Sequence, residues 1–286
     1  MLNVPRIAEL KEIVTAWRDR HQRIALVPTM GNLHRGHLAL VEQAQRLAHR
    51  TVVTLFVNPI QFVAGEDLDR YPRTLEQDRA LLDAARADVL FVPEVAALYP
   101  NGFDRHTEVR VPGLDTMLCG ASRPGHFTGV ATVVTKLLNL VRPDLAVFGE
   151  KDYQQLLVIK RMVADLCIEV EIHAVETARA PDGLALSSRN AYLTDAERAI
   201  AGRLYEALRE ARDALSRPAP CFQSIERRGR ARLEEAGFHA DYFAVRRASD
   251  LMDPAPEDSD LRILAAAWLG KTRLIDNLAA RKSVEP

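Results

Sequence analysis

Short apolar runs alternate with helical patterns through the first two-thirds of the chain. Runs rich in β-branched and apolar residues predict strands at 24–27, 51–57, 89–92, 145–148 and 169–175. Between them, apolar residues recur every three or four positions and predict helices near 36–49, 74–87, 130–141 and 156–166. Such strands pair in parallel through right-handed crossovers, and their continuous apolar character indicates a sheet covered on both faces. We therefore expect a Rossmann-like, doubly wound α/β domain over residues 1–176.

The pattern changes beyond residue 176. Thr194 followed by Glu197 is a capping-box pattern, as is Thr74 with Gln77 at an earlier helix start. A charged helix is expected from Thr194 to about Ser216, and a second helix to about residue 235. Candidate strands follow near 242–245, 261–266 and 273–278. The sequence thus predicts a smaller C-terminal α+β domain over residues 177–286.

Composition narrows the functional classes. The 286 residues carry a formal net charge of -1, so no broad basic field is available for nucleic acid. Three cysteines at long spacings fit a reducing cytoplasm better than a disulfide framework or a zinc site. Charged residues interrupt the N-terminus, and the apolar stretch 130–141 is too short to cross a bilayer. We expect a soluble cytoplasmic protein without a membrane or nucleic-acid partner.

The segment PTMGNLHRGH, residues 28–37, directly follows the first predicted strand. Ligands of open α/β sheets collect beyond the carboxyl ends of strands, and a helix that begins near Gly36 would direct free N–H groups there. His34 and His37 would lie on one side of the first helical turn, where their imidazoles can donate to phosphate oxygens. A single such histidine is more often a surface or capping residue, but the combination favours a phosphate site. Neither a dinucleotide fingerprint nor a P-loop motif is found.

Two further segments follow predicted strands. Gln61 in the segment NPIQF, residues 58–62, has an amide that can both donate to and accept from a substrate, although alone it is only a loop amide. In the segment FGEKDYQQ, residues 148–155, Lys151 is suited to phosphate as a point charge. Asp152 could cap the following helix, bind a ribose or approach Mg²⁺.

The segment GLALSSRN, residues 183–190, joins the two predicted domains. Ser187, Ser188 and Arg189 place two hydroxyls and a guanidinium in a row, which suits the β- and γ-phosphates of a nucleotide. A turn followed by helix-capping residues is the plainer interpretation of those three residues alone.

Residues 34–37, His-Arg-Gly-His, form an HxGH motif. This motif resembles that of the nucleotidyltransferase superfamily, which also includes class I aminoacyl-tRNA synthetases. The longer string at 28–37 resembles the pantothenate synthetase (pantoate–β-alanine ligase) family. The segments described above, with the RPGHF segment at 123–127 and the YPR segment at 71–73, match that family in order from about residue 24 to 193. Asn32, Arg35 and Leu186 depart from the commoner Ala, Glu and Met of the family.

The resemblance implies ATP-dependent condensation of (R)-pantoate with β-alanine, through a pantoyl-adenylate, to give pantothenate, AMP and pyrophosphate. It implies Mg²⁺ with ATP, a homodimer, and closure of the C-terminal lid domain near residues 177–181. His37 would be proton donor and phosphate ligand, with His34 as its partner and Lys151 and Arg189 as further catalytic residues. We expect the turns that carry these four residues to converge on one triphosphate pocket.

The remaining implied contacts are grouped by ligand. The ATP-binding residues would be Met30, Gly31, Asn32, Leu33, His34, Arg35, Gly36, His37, Gly149, Glu150, Lys151, Asp152, Ala178, Leu186, Ser187, Ser188 and Arg189. The residues that bind pantoate or β-alanine would be Gln61, Gln155, Asn58 and Arg123, with His126 lining the same segment. Asp78 is a candidate Mg²⁺ contact, with a solvated helix carboxylate as the alternative.

Two other functions remain open on the sequence. A plain adenylyltransferase would join AMP to a phosphate-bearing acceptor, and the paired glutamines weigh against it. A nucleotide-sensing or assembly module that kept the pocket would need no catalysis, and the full set of phosphate-directed side chains weighs against that.

Overall fold

The computed structural model describes residues 1–282, and this part of the chain forms two compact units. The first unit holds Met1–Glu150 and Val158–Glu176. The second unit holds Lys151–Leu157 and the chain from Thr177 onward. The short segment Lys151–Leu157 therefore groups with the C-terminal part of the chain, although it follows a strand of the first unit.

The first unit is built on a parallel sheet, as the sequence predicts. The strands are β1 (Leu2–Val4), β2 (Ile24–Thr29), β3 (Arg50–Leu55), β4 (Val89–Phe91), β5 (Leu145–Gly149) and β6 (Glu171–Val175). Within residues 1–282 these six strands pair in the order β1-β4-β3-β2-β5-β6, with every pairing parallel. The expected doubly wound α/β fold class is confirmed.

Helices connect the strands of the first unit. They are α1 (Ile7–Arg18), α2 (Arg35–Leu47), α3 (Leu75–Ala84), α4 (Val95–Leu98), α5 (Cys119–Ser122), α6 (His126–Val141) and α7 (Tyr153–Asp165). The apolar stripe of α2, which includes Leu40, Val41 and Ala44, packs in one cluster with Val27 and Val53 of the central strands. Full burial of such a side chain contributes about 1.5–3 kcal/mol, so α2 is held firmly against the sheet.

The second unit contains an antiparallel sheet with helices on it. Its strands are β7 (His239–Arg247), β8 (Asp260–Leu269) and β9 (Thr272–Arg281), which pair in that order. Its helices are α8 (Asp195–Ile200), α9 (Arg203–Leu215) and α10 (Phe222–Glu235). Leu204 and Leu208 of α9 share a buried cluster with Phe243 and Ile263 of the sheet. The strands expected near 242, 261 and 273 are confirmed.

Two local expectations are wrong. The single helix expected from Thr194 is two helices, α8 and α9, separated near Gly202, where an added Cβ would lie 2.7 Å from the Asp182 carbonyl oxygen. The capping box at Thr194 does form, but the one expected at Thr74 does not. The Thr74 hydroxyl instead donates to Asp78 at 3.2 Å.

Across residues 1–282, every helix is either too short or too polar to reach from one side of a lipid bilayer to the other.

Candidate active site

The turn after β2 has an unusual backbone. Gly31 has φ of 85° and Asn32 has φ of 51°, both in the left-handed region. Glycine enters this region without strain, and asparagine tolerates it better than most residues. A Cβ on Gly31 would also lie 3.1 Å from a carboxylate oxygen of Asp78. The sequence Gly-Asn therefore suits this turn, and the departure at Asn32 is compatible with its conformation.

Asp78 of α3 anchors that turn. Its side chain is buried, and its two oxygens accept from the backbone N–H groups of Asn32 at 2.9 Å and Leu33 at 2.7 Å. The solvated carboxylate considered from the sequence is therefore wrong. Within residues 1–282 no cluster of three or more histidine, cysteine, aspartate or glutamate side chains is placed to hold a metal. The role of Asp78 as a Mg²⁺ contact stays a prediction.

His34 and His37 lie together at the start of α2. Gly36 N–H donates to His34 Nδ1 at 3.1 Å, and His34 N–H donates to His37 Nδ1 at 3.2 Å, which makes a reciprocal cap. The ring centroids are 4.1 Å apart. Because each Nδ1 accepts from a backbone amide, the proton of each neutral imidazole lies on Nε2. The capping role is confirmed, and it sets Nε2–H as the donor that each ring can offer to a phosphate.

The same helix start adds a favourable dipole. The aligned peptide groups of a helix give its first turn a partial positive charge. Arg35 and Gly36 occupy the first positions of α2, beside the two histidines. An α-phosphate placed here would lie at the positive end of the helix dipole, next to the imidazole rings.

Asn58 and Gln61 form a buried amide pair after β3. Gln61 lies in a short 3-10 helix, Pro59–Gln61. Asn58 Nδ2 donates to Gln61 Oε1 at 3.2 Å, and the Tyr99 hydroxyl donates to Asn58 Oδ1 at 2.8 Å. Burial raises the pKa of Tyr99, so this hydroxyl remains a donor. Gln61 Nε2 lies 2.7 Å from Met30 Sδ, so the amide pair adjoins the turn after β2.

Arg123 and His126 support the backbone of Gln61. His126 Nδ1 lies 2.7 Å from the Gln61 carbonyl oxygen, and its Nε2 lies 2.9 Å from an Arg123 nitrogen. Arg123 also donates through two nitrogens to Glu66. Burial acts to raise the pKa of Glu66, but the Arg123 hydrogen bond and charge outweigh it and hold that pKa below its ordinary value.

Two residues of this region, Tyr99 and Glu66, were not predicted from the sequence. Tyr99 and Glu66 lie 41 and 57 residues from their partners Asn58 and Arg123, in segments without a regular pattern. Pairing between irregular segments leaves no periodic signal, so only the fold identifies them.

Gly149 and Glu150 end the first-unit part of the FGEKDYQQ segment. Gly149 is the last residue of β5, which lies next to β2 in the sheet. In a parallel sheet, adjacent strands end on the same side. The carboxyl ends of β2 and β5 therefore open toward one edge of the first unit, as expected.

The second unit contains the rest of that segment. The Lys151 carbonyl oxygen accepts from Asn277 Nδ2 at 2.8 Å, and its ammonium lies 3.8 Å from Asp152. Gln155 is half-buried in the first turn of α7. Lys151 and Asp152 lie in a short 3-10 helix, Glu150–Asp152, which leads directly into the first turn of α7 with Gln155.

Residues 178–186 form a tight hairpin in the second unit. Arg179 and Ala185 form an isolated antiparallel bridge, and Leu186 N–H donates to the Ala178 carbonyl at 2.9 Å. The Ser187 hydroxyl then accepts from Arg189 N–H at 3.3 Å and caps a short helix, Ser188–Tyr192. The capping interpretation is confirmed for Ser187. The hairpin brings Ala178, Leu186 and the Ser187–Arg189 run together.

These features define an α/β enzyme whose candidate site contains an HxGH motif, residues 34–37, in the turn after β2. The family model described as pantoate-beta-alanine ligase matches residues 3–279, so the chain belongs to that family and is a ligase. The family predicted from the sequence motifs is confirmed.

Similar proteins agree with the family. A pantothenate synthetase from Nitrosococcus oceani is 53% identical over 280 residues, which cover 98% of each chain. The crystal structure of a pantothenate synthetase from Thermus thermophilus has a TM-score of 0.91 at 47% identity and covers 97% of this chain and 99% of its own. A pantoate-beta-alanine ligase from Francisella tularensis, complexed with beta-gamma ATP and beta-alanine, has a TM-score of 0.80 at 36% identity and covers 98% and 97%.

Proposed function

We propose that this enzyme condenses (R)-pantoate with β-alanine, using ATP, to give pantothenate, AMP and pyrophosphate through a pantoyl-adenylate. This reaction would supply a precursor of coenzyme A in the cytoplasm, and the active form would be a homodimer. The observation that carries the proposal is the pair His34 and His37, each with Nδ1 bound to a backbone amide and with Nε2–H as donor. The Francisella tularensis relative, solved with beta-gamma ATP and beta-alanine, supports the choice of two substrates.

In the first step a pantoate carboxylate oxygen attacks the α-phosphorus of ATP, and the bond to the β-phosphate oxygen breaks to release pyrophosphate. A carboxylate needs no general base, so catalysis consists of positioning and charge stabilisation. His37 Nε2–H would donate to the α-phosphate as negative charge builds, with His34 beside it. The backbone of residues 30–37 and Gly149 would hold the nucleotide.

Pantoate would be oriented by neutral amides. Asn58 holds Gln61 Oε1, so Gln61 Nε2 is the end of the amide left to donate to a pantoate oxygen. That nitrogen now contacts the Met30 thioether, a weak acceptor that a pantoate oxygen would replace. Gln155 would contribute a second amide. Arg123 is already paired with Glu66 and would act mainly by supporting the Gln61 backbone.

The second unit would supply the phosphate-directed groups. Lys151, Ser187, Ser188 and Arg189 would bind the β- and γ-phosphates, and Asp152 would contact the nucleotide. Lys151 and Arg189 would supply positive charge to the phosphates, and the hydroxyls of Ser187 and Ser188 would add hydrogen-bond donors.

Mg²⁺ would arrive with ATP, bound by phosphate oxygens and water, since this ion rarely uses an all-protein cage. The surroundings of Asp78 do not fit a metal cage, because both carboxylate oxygens accept from backbone N–H groups.

In the second step the neutral amine of β-alanine attacks the acyl carbon of pantoyl-adenylate. The carbon–nitrogen bond forms, the bond from the acyl carbon to the AMP phosphate oxygen breaks, and the nitrogen gives its extra proton to solvent or to the leaving AMP. Water must be kept from the mixed anhydride, which would otherwise hydrolyse to pantoate and AMP.

Pyrophosphate release with each substrate omitted in turn tests the proposal. We expect release with ATP and pantoate alone, limited to about one equivalent, and continuous turnover after β-alanine is added. Radiolabelled ATP should end as free AMP. AMP bound to the product would instead indicate an adenylyltransferase, and no release with all three substrates would indicate a non-catalytic nucleotide-binding protein.

A further inference from the structure

A buried charged cluster lies in the second unit, outside the residues assigned to substrates. Asp276 of β9 has a side chain that is only 1% exposed, and Arg179 donates to its two oxygens at 2.6 and 2.9 Å. Asn277 N–H donates to the same carboxylate at 2.7 Å. Burying charge is costly even when it is paired, so such a pair is weak evidence for a purely stabilising role.

Arg179, on one side of the cluster, belongs to the hairpin 178–186 that directly precedes Ser187. Arg179 also donates to the Gly183 carbonyl at 3.0 Å, which fixes the hairpin tip. Its guanidinium lies 3.8 Å from the centre of the Tyr205 ring. Two further interactions fix the hairpin as far as the residue before Ser187. They are the bridge between Arg179 and Ala185 and the hydrogen bond from Leu186 N–H to the Ala178 carbonyl.

The other side of the cluster holds Lys151. Asn277 is buried, and its amide is used at both ends, since Nδ2 donates to the Lys151 carbonyl and Oδ1 accepts from Arg262 Nε at 2.6 Å. Arg262 in turn lies 4.0 Å from the centre of the Tyr153 ring, two residues beyond Lys151. Burial raises the pKa of Asp276, against the lowering effects of Arg179 and of the Lys151 charge. Adjacent residues of β9 thus fix two segments that are far apart in the sequence.

We propose that Arg179, Asp276, Asn277 and Arg262, here called the β9 cluster, are positioning residues that hold Lys151 and the Ser187–Arg189 run as one rigid phosphate-binding group. The inference rests on the proposed function, because that function assigns these two segments to the phosphates of ATP. It goes further by naming residues that contact no substrate and act only through the segments they hold. Misplacement of a binding group by about 1 Å can cost up to about 10²-fold in rate.

The test is Asn277→Leu, which keeps the branching and the number of side-chain heavy atoms and removes both amide hydrogen bonds. We expect the KM for ATP in pyrophosphate release to rise about tenfold, as when one bound segment loses its position. The KM for pantoate should rise clearly less, because Gln61 and Asn58 lie in the first unit and only Gln155 lies in the segment that begins at Lys151. Affinity for a non-hydrolysable ATP analogue, measured by calorimetry, should fall by the same factor.

The matched control is Asp241→Asn, which breaks an ion pair with Arg273 on the same sheet, at 2.6 Å, away from Lys151 and the hairpin. Both variants are melted thermally, and kinetics are measured well below both transitions. The control should leave the KM for ATP unchanged at comparable destabilisation. If Asn277→Leu does not fold, Arg179→Lys, which keeps the charge but loses the two-point contact, replaces it.

Several outcomes would overturn the inference. These are an unchanged ATP affinity in the folded variant, an equal rise in the KM values for ATP and pantoate, or the same effect in Asp241→Asn. In each of these cases, turnover by the wild-type enzyme would still support the proposed function. If instead the wild-type enzyme released no pyrophosphate, the proposed function would fail, while analogue binding would still decide whether the β9 cluster positions a phosphate site.

Discussion

The two groups of candidate site residues are built from different chemistry. In the first unit, the residues around the turn after β2 are held by neutral hydrogen bonds between backbone amides, imidazoles and side-chain amides, with Asp78 as a buried anchor. In the second unit, Lys151 and the run that ends at Arg189 are held through a buried ion pair and two further buried polar side chains. The difference suits the groups that each region would contact. In the first unit, pantoate and the α-phosphate would be bound by directional donors, whereas in the second unit the β- and γ-phosphates would be bound by positive charge.

The largest expected effect concerns His37. His37→Ala should lower kcat by about 10²–10³, the usual cost of losing one transition-state donor. His37→Asn separates two roles of this ring, because an asparagine oxygen can replace Nδ1 as the acceptor from His34 N–H but offers no Nε2–H. We expect both variants to be similarly slow in pyrophosphate release. Recovery of activity in His37→Asn would mean that the helix cap, rather than donation to phosphate, is what His37 contributes.

The next effect concerns the buried anchor. Asp78→Asn places an amide N–H against a backbone N–H and removes a charged acceptor, so unfolding free energy should fall by about 1.5–3 kcal/mol in urea titration. Thr74→Val removes only the neighbouring hydroxyl and should cost less, about 1 kcal/mol. The Mg²⁺ concentration at half-maximal activity should be unchanged in Asp78→Asn. A large increase in that concentration would favour the ligand role that the sequence suggested.

Removal of one hydroxyl from each region compares them directly. Tyr99→Phe leaves Asn58 Oδ1 without its donor, and Tyr153→Phe leaves the Ala248 carbonyl without one, at similar distances of 2.8 and 2.9 Å. Each loss is worth about 1 kcal/mol, or about fivefold in a binding constant. Tyr99→Phe should raise the KM for pantoate, and Tyr153→Phe the KM for ATP. If either variant raises both values equally, the division between the two regions is wrong.

The smallest effect is the pH dependence of the Glu66–Arg123 pair. The pKa of Glu66 is lower in the folded protein than its ordinary value of 4.5, so its ionised form stabilises the fold above that pH. This contribution is lost as pH falls through the folded-state pKa. The difference in unfolding free energy between wild type and Glu66→Gln should therefore shrink from pH 7 to pH 3.5. Glu42→Gln, at an exposed pair, should show little difference at any pH, and a constant Glu66 difference would contradict the assignment.

Elements with long periodic patterns could be predicted from the sequence. Very short elements, and features that depend on contacts between distant residues, could not. The alternation of strands and helices predicted the parallel sheet because each strand from β2 to β5 is a continuous buried run. Strand β1 was missed because it has three residues, two of them exposed. At the break before α9, Gly202 lies close to Asp182, and no local pattern contains this approach.

The candidate site likewise contains residues that could be predicted from the sequence and residues that could not. The segments at 28–37, 58–62, 148–155 and 183–190 were visible because their chemistry lies in contiguous residues. The residues that hold them were not, because Tyr99, Glu66 and Asp276 reach partners 41 to 97 residues away. The anchoring role of Asp78 was likewise invisible, since a lone carboxylate on a helix is usually exposed.

The reciprocal cap at the start of α2 has a chemical consequence for residue 35. Many enzymes fix the tautomer of a reactive imidazole with a dedicated carboxylate, whereas here the main chain does so for two rings at once. A glutamate next to them is then dispensable for that purpose. The arginine found at this position can persist without changing which nitrogen carries the proton, so variation there is expected to tune local charge and leave the tautomers intact.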